Sequence, residues 1–227
     1  MSVSVLAPSG TVGSQGWALE QVMAATAFGA EACIAPFEDE HLPVLADECR
    51  VVLVRNGPDL AALSAVLNAP GLIGKRRILA LSERGCDIGP EALGLFACAD
   101  MVLLDQACVA RLFAFEREPQ TLDELMVLRS VLTLTNQAAV VTLATGGAIA
   151  IWADRSLESV PVERQEARVT ADPFCGIVAA CVDLGIGPEP ALRYALAGRT
   201  MVGAGARGAR HFPSRAALDA ERDERGG

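Results

Sequence analysis

Arg168-Val169-Thr170-Ala171-Asp172-Pro173-Phe174-Cys175-Gly176 is the stretch on which the reading of this chain turns. An extended run meets a single acid, then a proline, then a small-residue helical segment over 177–184. Proline is tolerated at the first helical position, where its missing N–H breaks no bond and its fixed φ suits the helix. Asp172 therefore reads as an N-cap, a place where aspartate ordinarily serves structure alone by accepting from the first helical amides. Its surroundings add a functional reading. Two short strands precede it, small residues follow it, and free amides at a helix N-terminus can hold a phosphate.

Just upstream, apolar runs at 139–143 and 148–152 flank Ala144-Thr145-Gly146-Gly147. So short a connection cannot return a parallel strand, and a hairpin is predicted. Before it, short apolar runs alternate with helical patterns. Strands are predicted at 2–6, 31–35, 50–55, 77–81 and 101–104, with helices at 17–28, 58–68, 90–98, 107–113 and 122–133. Arg50-Val51-Val52-Leu53-Val54-Arg55 is apolar without alternation, as a strand covered on both faces must be. Alternating strands and helices predict an α/β fold, a three-layer αβα sandwich around a mainly parallel sheet. Downstream a helix is predicted at 190–203, then a basic flexible run at 205–210. The organisation expected is one domain over 1–216 with a charged flexible tail over 217–227.

With 227 residues, 52% of them hydrophobic, the chain has material for one large core. Its net charge of −9 argues against a nucleic-acid groove or an anionic membrane as partner, since both need a cationic face. No apolar run approaches the ~20 residues that span a bilayer, and residues 1–8 lack the basic start of a signal peptide. A cytoplasmic protein acting on small molecules is the expectation. Seven cysteines stand scattered, without a Cys-x-x-Cys pair and with only two histidines to help them, so they read as buried thiols and no metal site is predicted. The glycines of Ser9-Gly10-Thr11-Val12-Gly13-Ser14-Gln15-Gly16 follow a strand, but neither Gly-Lys-Ser/Thr nor Gly-x-Gly-x-x-Gly is present. They read as turn formers, and a dinucleotide-dependent oxidoreductase is disfavoured.

The order of elements and several motifs resemble the ribokinase-like (PfkB) carbohydrate kinases. Val169 to Gly176 is similar to that family's Gly-Ala-Gly-Asp-x-Phe-x-Gly, and Val141 to Ala148 to its Thr-Leu-Gly-x-x-Gly-Ala strand and turn. Arg207-Gly208-Ala209 resembles the late Gly-Ala turn, Ala24 to Asp39 the helix and Gly-Asp-Asp region, and Ala99 to Asp105 the strand before Asn-x-x-Glu. The resemblance implies an ATP-dependent kinase for a hydroxyl of a sugar- or nucleoside-like metabolite, using ATP with Mg²⁺ carried on the nucleotide. It makes Asp172 the general base and the amides of Val169, Thr170 and Ala171 an anion hole for the phosphoryl group in flight. Thr142, Ala144, Gly146, Gly147 and Gly208 would line the nucleotide, and Gly16 and Glu20 the substrate.

The departures are specific. Val169 and Ala171 replace the loop glycines, Asp105-Gln106-Ala107-Cys108 replaces Asn-x-x-Glu, and Gln15 to Glu20 replaces Gly-Gly-x-x-x-Asn. The early substrate aspartate has no counterpart, and the chain passes from Glu38-Asp39 almost directly to the next strand, omitting the family's β-lid. These losses support an alternative, a catalytically degenerate homologue that binds a nucleotide or metabolite as a regulatory subunit. A lidless sheet edge also predicts association, with itself or with another subunit.

Overall fold

The computed structural model describes residues 2–8, 15–37, 49–55, 59–82, 88–134, 136–144, 146–154, 157–160, 172–204 and 212–226. Strand β1 (Ser2–Pro8) is followed by helix α1 (Gln15–Phe28), β2 (Glu31–Phe37), β3 (Cys49–Arg55), α2 (Leu60–Leu67), β4 (Arg76–Ala80) and β5 (Met101–Asp105). Then come α3 (Gln106–Leu112), α4 (Leu122–Leu125), β6 (Ala138–Thr142), β7 (Ala148–Trp152), β8 (Leu157–Val160), α5 (Asp172–Asp183), α6 (Pro188–Ala204) and α7 (Arg215–Gly226). The strands form one eight-stranded sheet in the order β2-β1-β3-β4-β5-β6-β7-β8. From β2 to β6 every pairing is parallel, and β7 and β8 join antiparallel.

Two cores explain the sequence pattern. Val51 and Leu53 of β3 pack with β1, β4 and the inner faces of α1, α5 and α6, whereas Val52 and Val54 pack with α2, α3 and α4. Successive strand residues point to opposite faces, so a strand sandwiched between two helical layers must be apolar at every position. The three-layer αβα sandwich and its mainly parallel sheet are thus as expected. The hairpin is present too, with Thr142 paired to Ala148. Among the described residues there is no β-lid. The acidic turn expected at Glu38 and Asp39 lies outside them.

Several spans differ from the sequence expectation. The helix expected at 90–98 is a 3₁₀ segment, Pro90–Cys98, and the one expected at 122–133 is a single turn, α4, continued as 3₁₀ over Met126–Val131. Both are fastened by one buried amide. Gln137 accepts from the amides of Thr133 (2.7 Å) and Leu134 (3.2 Å) and donates to the carbonyls of Ala99 (2.8 Å) and Phe96. These ties satisfy chain ends that an ordinary α-helix would leave to a cap. Strand β8 is an addition the sequence reading lacked, because Leu157-Glu158-Ser159-Val160 carries too short an alternation to stand out. The charged end is a helix rather than a flexible tail. Ser214 caps α7 by accepting from Ala217 (3.2 Å), Leu218 is buried, and Tyr194 donates to Asp219. No helix among the described residues is long and apolar enough to cross a membrane.

Candidate active site

Helix α5 begins at Asp172 and lies against α1. The contact is backbone to backbone at Gly176, where an added Cβ would sit 2.2 Å from the carbonyl oxygen of Gln21. Only glycine permits that approach, which places the first turn of α5 and the side of α1 on one cavity. The cavity opens at the C-terminal ends of the parallel strands, where open α/β sheets carry their sites. Arg55 ends β3, Asp105 ends β5 and Thr142 ends β6, and all three line it together with Gln21, Asp172 and Cys175.

The central feature is an ion pair. Arg55 donates through Nη1 to Oδ1 of Asp172 at 2.7 Å, with the two side chains 10% and 14% exposed. The guanidinium also lies over the ring of Trp17, 5.1 Å from its centroid, a cation–π contact. The guanidinium thus stands directly against the Asp172 carboxylate, a charge-assisted hydrogen bond. Gln21, on the same cavity, is fully buried, and among the described residues neither Nε2 nor Oε1 has a hydrogen-bond partner. A buried amide left so costs about 1–3 kcal/mol per unmade bond. Asp105 accepts from the Cys108 amide at 2.7 Å and thereby caps α3. Burial pushes the Cys175 thiol up to about 12, with the charge of Asp172 adding to the effect, so it stays protonated at neutral pH. Arg199 of α6 is held below its ordinary value by burial, opposed by the charges of Cys175 and Asp105. The cavity therefore sets one arginine and two aspartates beside an inert thiol.

Of the residues singled out from sequence, the structure brings Asp172 and Thr142 to this cavity. The Thr142 hydroxyl donates to the Leu104 carbonyl at 3.3 Å. The Ala144 amide donates to Oε1 of Gln106. The turn beyond closes on itself, with the Gly146 amide on Leu143 (3.0 Å), the Leu143 amide on Gly147 (2.8 Å) and Gly146 at φ +101. Gly16 is an exposed first-turn residue of α1, where a Cβ would meet nothing within 4 Å, and Glu20 stands one turn further on the same face. The residue of α1 that lines the cavity is Gln21. Val169, Thr170, Ala171 and Gly208 lie outside the described residues.

Three contributors were missed in the sequence reading, and two had signals. Arg55 is a charge at the C-terminal end of an apolar parallel strand, where only function or pairing holds one. Gln21 is an amide in the middle of a largely apolar helix. Arg199 had none, since a cation in a polar-flanked helix is usually solvated.

Among the described residues no group of three or more His, Cys, Asp or Glu side chains is placed to hold a metal ion. The described residues therefore do not build a protein cage for magnesium.

No family model matches the sequence, and no curated protein does. Solved structures do. A protein of Agrobacterium tumefaciens assigned as a ribokinase superposes with a TM-score of 0.75 at 17% identity, covering 100% of this chain and 98% of that one. Ribokinase from Cryptococcus neoformans in complex with ADP gives 0.70 at 14%, covering 97% and 98%. Phosphofructokinase-2 from Escherichia coli gives 0.71 at 13%, covering 99% of each. At such identities the likeness is one of fold. The chain has the ribokinase-like fold, and that likeness of fold extends over the whole chain.

Proposed function

We propose that this chain is an ATP-dependent kinase transferring the γ-phosphoryl group to a hydroxyl of a small metabolite, with Asp172 as general base. The observation that carries the reading is Asp172 itself, a carboxylate at the first residue of α5, at the strand ends, held in place by Arg55. Its neighbours in fold support it, one of them holding ADP. In the reaction the substrate hydroxyl oxygen bonds to the γ-phosphorus, the bond from that phosphorus to the β,γ-bridging oxygen breaks, and ADP leaves. The hydroxyl proton passes to the Asp172 carboxylate. A Mg²⁺ ion, if carried on the nucleotide, would supply charge neutralisation at the phosphates. The amides at the start of α5 face the developing negative charge, as helix N-termini do.

Calorimetry with ATP and with a non-hydrolysable analogue, each with and without Mg²⁺, tests the nucleotide part. Metal-dependent binding is expected. A screen of hydroxylated metabolites for ADP release then tests the chemistry, and turnover that survives Asp172→Asn unchanged would refute the assigned base. Absence of nucleotide binding up to millimolar concentration would instead point to the regulatory alternative.

A further inference from the structure

We infer that this chain carries a second ligand site, at the opposite end of the sheet from Asp172, and that it takes a small amphiphilic anion, a compact apolar body bearing a single carboxylate. The inference goes beyond the kinase reading and does not rest on it.

The site is a cavity of about 370 Å³ between the sheet and the helical layer. It lies at the N-terminal ends of the parallel strands, for Arg76 opens β4, Met101 opens β5, and both line it. Its floor is Ile78, Val140 and Ala150, from β4, β6 and β7, and its roof is Val178 and Val182 of α5 with Leu192 of α6. Trp152, half-buried at the end of β7, adds an aromatic wall. The edge of the roof is a fastened turn, in which the amides of Leu184, Gly185 and Ile186 donate to the carbonyls of Ala180 (2.9 Å), Val182 (3.2 Å) and Cys181 (2.9 Å). Empty apolar space forgoes the dispersion contacts of a packed interior, and a bound apolar body restores them.

Size selects a small molecule. Sites for such molecules run to about 300–1,000 Å³. An apolar cavity of about 150 Å³ already takes a benzene ring, so this one has room for about two fused rings or a chain of roughly eight carbons. A single turn of helix, about 10–12 Å across with its side chains, would exceed it. The walls also exclude a sugar, whose hydroxyls would be buried against them without partners.

Charge selects an anion. The polar side chains on the cavity are Arg76, Asp100, Asn136 and the Trp152 indole. Residues two apart in a strand share a face, so exposed Arg76 leaves β4 on the side of Ile78, and among the described residues no hydrogen bond or ion pair engages its guanidinium. Asp100 is already served, accepting from the Arg77 amide (2.8 Å) and from Nε of Arg77 (3.4 Å). Lys75, Arg76 and Arg77 against Asp100 make this edge cationic on a chain of net charge −9. A guanidinium can hold a carboxylate through two parallel bonds.

The test uses the full-length chain and matched probes: 2-naphthoate and octanoate, their neutral counterparts 2-naphthamide and octanamide, and D-gluconate as a hydrophilic anion. Binding is read by calorimetry and by the emission of Trp152 in a Trp17→Phe chain, where it is the single indole. At least one apolar anion should change that emission and bind about tenfold or more tightly than its amide, while gluconate should leave the emission unchanged. The naphthoate and octanoate arms distinguish a ring from a chain. Val182→Phe, which fills the cavity from a half-buried position, should abolish binding, and Arg76→Gln should bring the anion to the affinity of its amide. Circular dichroism checks the fold of both, and Arg76→Gln, at an exposed position, decides alone if Val182→Phe does not fold. Failure of every probe to bind at millimolar concentration overturns the inference, as do amides that bind as tightly as the anions and binding that survives in folded Val182→Phe. Self-association that excludes the probes and is lost in Val182→Phe assigns the cavity to a second copy and overturns it too. None of these readouts uses nucleotide, so the inference and the kinase reading fail separately.

Discussion

Nη1 of Arg55 lies 2.7 Å from Oδ1 of Asp172, joining the end of β3 to the start of α5 across 117 residues of sequence. The pair ties the C-terminal end of β3 to the first turn of α5, and it fixes the acid on which the proposed chemistry depends. Removing either partner strands a nearly buried charge. Arg55→Met should therefore destabilise the fold by roughly 3–5 kcal/mol. Urea unfolding followed by circular dichroism measures it, and a loss under 1 kcal/mol would show that the pair is screened as a surface bridge is.

Asp172→Asn retains a side-chain oxygen for Arg55 while removing the base. Turnover should fall by about 10²–10⁴-fold, with nucleotide affinity little altered. Steady-state ADP release beside calorimetry of ATP separates the two effects. A variant that lost nucleotide binding to the same degree would assign the residue to the nucleotide instead.

Gly176→Ala is expected to be severe. The new Cβ would lie 2.2 Å from the Gln21 carbonyl oxygen, a backbone atom that cannot rotate away, so α1 and α5 must separate. The cost should reach about 1–3 kcal/mol or more. Gly16→Ala is its control, because that Cβ meets nothing within 4 Å, and the substitution should stabilise by about 0.4–1 kcal/mol through the unfolded chain. Equal effects at the two positions would contradict the close crossing of the helices.

Gln137 should prove a structural keystone without a role in binding. Its amide serves the Thr133, Leu134, Phe96 and Ala99 backbones at once. Gln137→Leu would leave those groups unpaired and cost about 3 kcal/mol or more, seen as a lowered denaturation midpoint. Nucleotide affinity measured on the folded variant should match the parent's.

The buried thiols give a pH dependence with a definite sign. Burial raises both Cys175 and Cys181 to about 12 from an ordinary value of 9.0. Above that ordinary value the unfolded chain releases these protons while the folded one keeps them. Stability is therefore whole below pH 9 and declines as the pH rises from 9 toward 12. Cys181→Ala should flatten part of that decline in pH-dependent urea titrations. At pH 8, iodoacetamide should modify the exposed Cys33 in the native protein and reach Cys175 and Cys181 only after unfolding.

The layered α/β architecture was legible because local pattern dictates it. Val51 to Val54 had to be buried on both sides, the 144–147 connection had to be a hairpin, and Pro173 after Asp172 had to open a helix. Gly176 could be matched to a motif, yet the reason it must be glycine is a neighbour from α1. The 3₁₀ segments were misread because an apolar 3.6-residue pattern does not record whether a distant glutamine will take the chain ends. The C-terminal helix was misread because its charges dominate the composition, while Leu218 packs into the core and Asp219 accepts from Tyr194 of α6.

By itself, then, the sequence determined the sheet, its layers and the acid at the start of α5, since these follow from side-chain period, turn chemistry and capping within a few residues. Only the tertiary structure decided what that acid faces. Arg55 and Gln21 come from two other elements, and their meeting with Asp172 at one cavity depends on strand order and on the glycine-permitted crossing of α1 and α5. Local periodicity carries burial, whereas the encounter of charges far apart in sequence is set by topology.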